Sequence, residues 1–216
     1  MTRAVIFDMD GTLIDTEKYY RIFWPKAMAE FGYAMTDEQA LAMRSLGRPF
    51  APQKLKEWFG EDVDYWAVRE KRRAMMRECL EREGLCCKPG AEALLSYLKE
   101  RGITTAVATA TDLETTERYL RQTKLLPYFD RIISASMVER GKPAPDIYLY
   151  ACESLGLAPG DCIAVEDSPN GVLSAWQAGC RVIMVPDQTQ PDESLKKCLY
   201  ARVDNLMEIC PLAVDF

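Results

Sequence analysis

A four-residue apolar run, Ala4-Val5-Ile6-Phe7, stops abruptly at Asp8-Met9-Asp10-Gly11-Thr12, and no convincing strand follows between residues 16 and 86. A sheet that uses this run must therefore be completed by chain beyond residue 100. The run reads as a buried strand whose carboxyl end opens into a loop, where open α/β sheets hold their ligands. Two acids one residue apart at such an edge can share a divalent cation and still do different work, because their surroundings can separate their proton affinities. An ordinary Asp-Gly turn after a strand is the simpler alternative.

The intervening span is helical in pattern. Asp15-Thr16-Glu17 looks like a helix start leading into Tyr19-Tyr20-Arg21-Ile22-Phe23-Trp24, and Pro25 is expected to kink or divide that helix. Segments 37–46, 52–59 and 62–83 also read as helices. From Lys88-Pro89-Gly90 onward, apolar β-rich runs alternate with amphipathic segments, the pattern of repeated βα units. Strands are expected at Ile103–Thr109, Arg131–Ser134, Cys162–Glu166 and Arg181–Val185. Helices are expected over 90–101, 112–123, 144–155 and 169–178, with Gly102, Gly156 and Gly179 as stops. A helix beyond Pro191 and a short strand near Ala201-Arg202-Val203 complete the expectation. The fold class is α/β, a Rossmann-like parallel sheet formed by residues 1–15 and 88–216, with 16–87 as an all-helical insert placed to cover the two acids.

Composition narrows the chemistry. With 216 residues, 48% apolar and 28% charged, the chain can bury a sizeable core and is not disordered in character. A net charge of −6 offers no electrostatic footprint for nucleic acid or an anionic membrane surface, and no apolar stretch approaches the roughly 18 residues of a membrane span. The expected setting is the cytoplasm. Eight cysteines lack Cys-x-x-Cys spacing and there is no histidine, which disfavours zinc and removes Ser-His and Cys-His nucleophile systems. Adjacent Cys86-Cys87 reads as idle thiols in a reducing compartment or as a redox pair, the former preferred. No coiled-coil pattern or charge block proposes a protein partner, so a monomer is expected.

Three later segments end like the first. Ala106-Val107-Ala108-Thr109-Ala110-Thr111 puts hydroxyls and free amides at a strand end, where they could hold a phosphate oxygen, although Thr109 could equally be a helix cap. Gly141-Lys142-Pro143-Ala144-Pro145-Asp146 delivers a lone lysine between prolines; a surface lysine is the plain alternative. Ala164-Val165-Glu166-Asp167-Ser168-Pro169 closes a strand with two more acids before a capped helix, and adjacent buried acids are costly unless a cation sits between them.

Together these four strand ends resemble the four motifs of the haloacid dehalogenase superfamily, in the order and spacing of its helical-cap, β-phosphoglucomutase-like group. The resemblance covers essentially the whole chain. It implies a Mg²⁺-dependent phosphatase acting on a small phosphorylated metabolite. Asp8 would be the nucleophile and Asp10 the general acid and base. Thr109 would bind a phosphoryl oxygen, with Thr12, Ala110 and Thr111 beside it, and Lys142 would bind the phosphate and the nucleophile. Asp8, the Asp10 carbonyl, Glu166 and Asp167 would hold the metal. The chemistry agrees, because carboxylate attack on a phosphate dianion needs compensating positive charge, and Mg²⁺ prefers oxygen ligands.

The same group includes a phosphosugar mutase, which is the alternative reading. Tyr20 stands where that enzyme carries a histidine, and Phe50 where it carries a substrate-binding arginine. Lys71 falls at its cap lysine, and Arg48 could replace the missing arginine; both are equally readable as solvated charges. Thr12 is the form common in the family's phosphatases, and hydrolysis is favoured. A phosphate-binding regulator without turnover would lack a core catalytic residue, and none is missing.

Overall fold

A computed structural model describes residues 2–214. Six strands, β1 (Ala4–Phe7), β2 (Thr104–Thr109), β3 (Arg131–Ser134), β4 (Cys162–Glu166), β5 (Arg181–Met184) and β6 (Ala201–Arg202), form one parallel sheet in the order β3-β2-β1-β4-β5-β6. The first strand thus lies between two strands made about a hundred or more residues later. In the register, Phe7 stands level with Val107 on one side and Val165 on the other. Asp8, Thr109 and Glu166 therefore emerge side by side at the carboxyl edge. The strand order reverses at β1, which makes this edge a topological switch point of the kind where open α/β sheets place ligands.

The central strands β1, β2 and β4 are buried on both faces, which explains their continuous apolar character. Val5, Phe7, Val107, Ile163, Val165 and Ile183 face one cluster, which includes Leu94 and Leu98 of α5 (Ala91–Glu100) and Tyr119 and Leu120 of α6 (Leu113–Gln122). Ala4, Ile6, Ala106, Ala108 and Ala164 face the other, against Ile147, Tyr148 and Ala151 of α7 (Asp146–Leu155) and Val172 and Ala175 of α8 (Pro169–Ala178). Helix termination follows the expected glycines, since Gly156 and Gly179 take left-handed conformations just past α7 and α8. Beyond these lie α9 (Glu193–Lys196) and an additional helix, α10 (Ile209–Val214), which packs near α5.

Between β1 and α5 the chain forms α1 (Glu17–Glu30), α2 (Asp37–Ala42), α3 (Phe50–Phe59) and α4 (Tyr65–Glu83). Pro25 does not divide α1, which runs unbroken through it. A proline removes one backbone hydrogen bond, but Trp24, Ala27 and Met28 bury the adjoining turns in a third apolar cluster with Leu55, Tyr65 and Val68. Helix α2 ends four residues short of the expected stretch. Ser45 there adopts φ 51°, and the chain turns instead of continuing. The connecting strands on either side of the helical segment run together: Asp15 N–H donates to the Cys86 carbonyl (2.9 Å), and Lys88 N–H donates to the Leu13 carbonyl (2.8 Å).

All eight cysteines are free; Cys86 is exposed and Cys87 half-buried, its thiol directed at the Thr123 carbonyl. Among the described residues, no helix is long and apolar enough to cross a membrane.

Candidate active site

Asp8 follows β1 directly and is buried to 1% exposure. Lys142 reaches it from the loop before α7, itself buried, and spends its three N–H groups on Asp8 Oδ1 (2.5 Å), Glu166 Oε1 (2.6 Å) and the Ala108 carbonyl (3.0 Å). Burial alone would drive this ammonium toward neutrality. The two carboxylates outweigh it and hold its pKa above the ordinary lysine value. For Asp8, burial dominates and pushes the carboxyl well upward; Lys142 opposes this, while Glu166, Asp167 and Asp10 add to it.

Asp10 sits in a cradle of hydroxyls. Thr16 donates to Oδ1 (2.6 Å), and Thr111 (2.7 Å) and Thr109 (3.4 Å) donate to Oδ2. These bonds favour the carboxylate, but burial outweighs them and leaves its pKa raised. Between the acids, Gly11 has φ +83°, and a Cβ there would meet Asp167 Oδ2 at 2.4 Å. Only glycine suits both the turn and the close approach.

Asp8, Glu166 and Asp167 each offer an oxygen within 4.8 Å of the others. Asp8 Oδ2 and Glu166 Oε2 are buried and have no hydrogen-bond partner. Two orphaned carboxylate oxygens facing a third acid form an all-oxygen donor set, which fits a hard divalent cation. Glu166 can lie against α8 because Gly171 leaves it room; a Cβ there would stand 2.0 Å from the Glu166 carboxylate.

Residues 2–179 match the family model of the haloacid dehalogenase-like hydrolases. The chain belongs to that family. It is 36% identical over 183 residues to hexitol phosphatase A of Escherichia coli strain K12, covering 85% of this chain and 82% of that one. It is 31% identical over 184 residues to the fructose-1-phosphate phosphatase YqaB of the same strain, covering 84% and 95%. Among solved structures, CbbY from Rhodobacter sphaeroides in complex with phosphate superposes with a TM-score of 0.80 at 28% identity over 100% of both chains. A putative β-phosphoglucomutase from Bacteroides vulgatus gives 0.84 at 25% identity, covering 99% and 90%.

In this haloacid dehalogenase-like hydrolase, the carboxyl edge, the helices α1, α4 and α6 and the loop after α2 enclose a cavity of about 90 Å³ lined by Asp8, Asp10, Thr109, Ala110 and Thr111. Thr12 is buried beside them, its hydroxyl 3.5 Å from Asp167 Oδ1. The two cap residues expected from sequence lie elsewhere. Lys71 is exposed and pairs with Glu30 (3.2 Å), and Arg48 is exposed with its guanidinium over the Trp66 ring. Neither lines the cavity.

Other residues take their place. Arg44 turns inward at the end of α2, pairs with Glu17 (3.2 Å) and with Asp167, and donates to Thr189 (2.8 Å). The neighbouring loop is fastened to the lysine loop, with Gly47 N–H donating to the Lys142 carbonyl (2.8 Å) and Gly141 N–H to the Arg48 carbonyl (2.6 Å). Tyr148 donates to Glu166 Oε1 (2.6 Å) from the buried face of α7. The only signals for Arg44, Thr16 and Tyr148 were a basic residue near a helix end, a helix-start threonine and an aromatic on an apolar face.

Four buried carboxyls, Asp8, Asp10, Glu17 and Asp167, all have raised pKa values, burial being the largest cause in each; Asp167 is pushed up to about 7. A carboxyl whose folded pKa exceeds its unfolded value adds stability below the unfolded value, and that stability is lost as pH rises through the folded one. In chelator-treated protein, thermal stability therefore falls as pH rises from 5 to 8. Calorimetry across that window checks this, and a midpoint that climbs with pH contradicts it.

Proposed function

We propose that this hydrolase is a Mg²⁺-dependent phosphatase that cleaves a small phosphomonoester through an aspartyl-phosphate on Asp8. The pair of buried, unpartnered oxygens on Asp8 and Glu166 beside Asp167 carries this reading. Asp8 and Asp10, from the carboxyl end of β1, line the cavity together with Thr109. Asp8 attacks phosphorus while Asp10 gives its proton to the departing alcohol oxygen; the raised pKa of Asp10 suits it to hold that proton until it is needed. Asp10 then takes a proton from water, whose oxygen attacks the phosphorus and frees Asp8 and inorganic phosphate. Lys142 stays charged and offsets negative charge on the nucleophile and the incoming phosphoryl group. Thr109 and the Ala110 amide orient phosphoryl oxygens, while the Thr111 N–H donates to the Thr109 hydroxyl (3.1 Å) and fixes it. Asp8, Glu166, Asp167 and the Asp10 carbonyl would hold Mg²⁺, which supplies the positive charge that keeps Asp8 ionised and screens the phosphate from it.

The names of the relatives support phosphoester hydrolysis. In this reading residues 16–87 act as a cap that closes over the site to exclude water and opens for release. The test is phosphate release from p-nitrophenyl phosphate and a panel of sugar phosphates, with Mg²⁺ and with EDTA. Release is expected only with the metal. Undiminished release in EDTA overturns the metal assignment, and conversion of β-glucose 1-phosphate to glucose 6-phosphate in place of phosphate release makes the protein a mutase.

A further inference from the structure

Arg72 of α4 is the anomaly of the cavity. It is 8% exposed, its guanidinium is held between the rings of Tyr20 and Trp24 at 4.6 Å from each centroid, and its Nε is buried with no hydrogen-bond partner. Among the described residues no carboxylate lies within ion-pair distance of it. The other buried charges of the cavity have close partners: Arg44 has Glu17 and Asp167, Asp8 has Lys142, and Asp10 has three hydroxyls, whereas Arg77 and Arg118 are less buried than Arg72. A buried charge left without a counter-ion is strongly unfavourable. The aromatic clamp offsets part of this and locks the guanidinium in place; burial lowers its pKa, and the longer-range pull of Tyr20, Tyr65 and Asp10 does not make up the difference.

We propose that the leaving group of the substrate carries an anion of its own, a second phosphate or a carboxylate, and that Arg72 receives it while the reacting phosphate sits at Asp8. The inference rests on the phosphatase reading above and adds the substrate class. Its basis is geometric: Arg72, Asp8 and Asp10 line one cavity, and Arg69, Arg77 and Arg118 lie on the same lining. The chain is acidic overall, with a net charge of −6, so this concentration of arginine is local to the cavity. A planar, clamped guanidinium presents its N–H fork to phosphate or carboxylate with little freedom left to lose on binding.

The test compares kcat/KM for substrates that differ in the charge of the leaving group: 2-phosphoglycolate against 2-hydroxyethyl phosphate for a carboxylate, and fructose 1,6-bisphosphate against fructose 1-phosphate for a second phosphate. Wild type is expected to prefer an anionic member by roughly 100-fold. Arg72→Gln brings that ratio close to one, and Arg72→Lys, which keeps the charge but loses the fork, restores only part of it. The pair that shows the preference tells carboxylate from phosphate. Wild-type enzyme that treats the anionic and neutral members alike, or an Arg72→Gln variant that keeps the preference, overturns the inference. Should Arg72→Gln fail to fold, the wild-type ratio and Arg72→Lys still decide. Hydrolysis of p-nitrophenyl phosphate separates the two levels: present with a flat ratio, it leaves the phosphatase reading intact and removes only the substrate class, whereas its absence removes both.

Discussion

Asp8→Asn lowers Mg²⁺-dependent phosphate release by at least roughly 10³-fold, a loss typical of removing an essential nucleophile. The substitution is nearly isosteric, so the shape at the end of β1 is kept. What disappears is the second carboxylate oxygen and its negative charge, which makes the bond to phosphorus. Stability should move the other way. Burial and three neighbouring acids all push the Asp8 carboxyl toward its neutral form, and only Lys142 favours the charge. A neutral amide therefore relieves repulsion in an acid-crowded pocket, and the metal-free variant is expected to melt no lower than the metal-free wild type at pH 8. A phosphate-release assay and a thermal melt on the same preparation give both readouts. Retained turnover in a folded variant would remove Asp8 from the nucleophile's position. Lost turnover with a collapsed melting curve would show that the Asp8–Lys142 pair holds the fold more than it serves chemistry.

The core half of this site was legible because strand ends are legible. Ala4–Phe7, Thr104–Thr109 and Cys162–Glu166 each change from apolar to polar at a definite residue, and parallel pairing sends every such change to one edge. The resemblance then assigned work to residues that the sheet brings together without further adjustment. The helical half was not legible, because there a side chain's direction depends on helix rotation. Arg69, Lys71, Arg72 and Arg73 are near neighbours on α4, and successive helical residues point about 100° apart. Lys71 turns outward to Glu30 while Arg72 turns inward between Tyr20 and Trp24. No apolar stripe in that stretch is strong enough to fix the rotation. Thr16 stands at the helix start that the sequence suggests, but its hydroxyl caps no backbone amide and donates to Asp10 instead, a role the helix-start pattern does not reveal. The passage of α1 through Pro25 and the six-residue α10 reflect tertiary burial overriding local preference.

Lys142→Met is the second large effect, and it falls on stability as well as rate. The methionine fills much of the lysine's slot but leaves Asp8 and Glu166 buried without their shared counter-ion. Breaking a buried pair in this way costs about 3–5 kcal/mol, because the abandoned charge remains. Here one ammonium serves two carboxylates, so the upper part of that range is expected at pH 8 without metal. The cost should also depend on pH. Lys142 is what holds the Asp8 pKa down against burial, so its loss raises that pKa further above the unfolded value. The extra penalty is absent below the wild-type folded value and grows as pH rises from there to the variant's higher folded value. The stability gap between variant and wild type should therefore be small near pH 4 and wide at pH 8. Mg²⁺ should narrow it at the alkaline end by supplying positive charge to the orphaned oxygens. Denaturant unfolding at the two pH values, with and without metal, measures this. Parallel pH curves would mean that Lys142 is not the counter-charge of the acid cluster. Even where metal restores the fold, turnover should stay at least about 100-fold down, because the incoming phosphate has lost the one buried cation supplied by the core loops themselves.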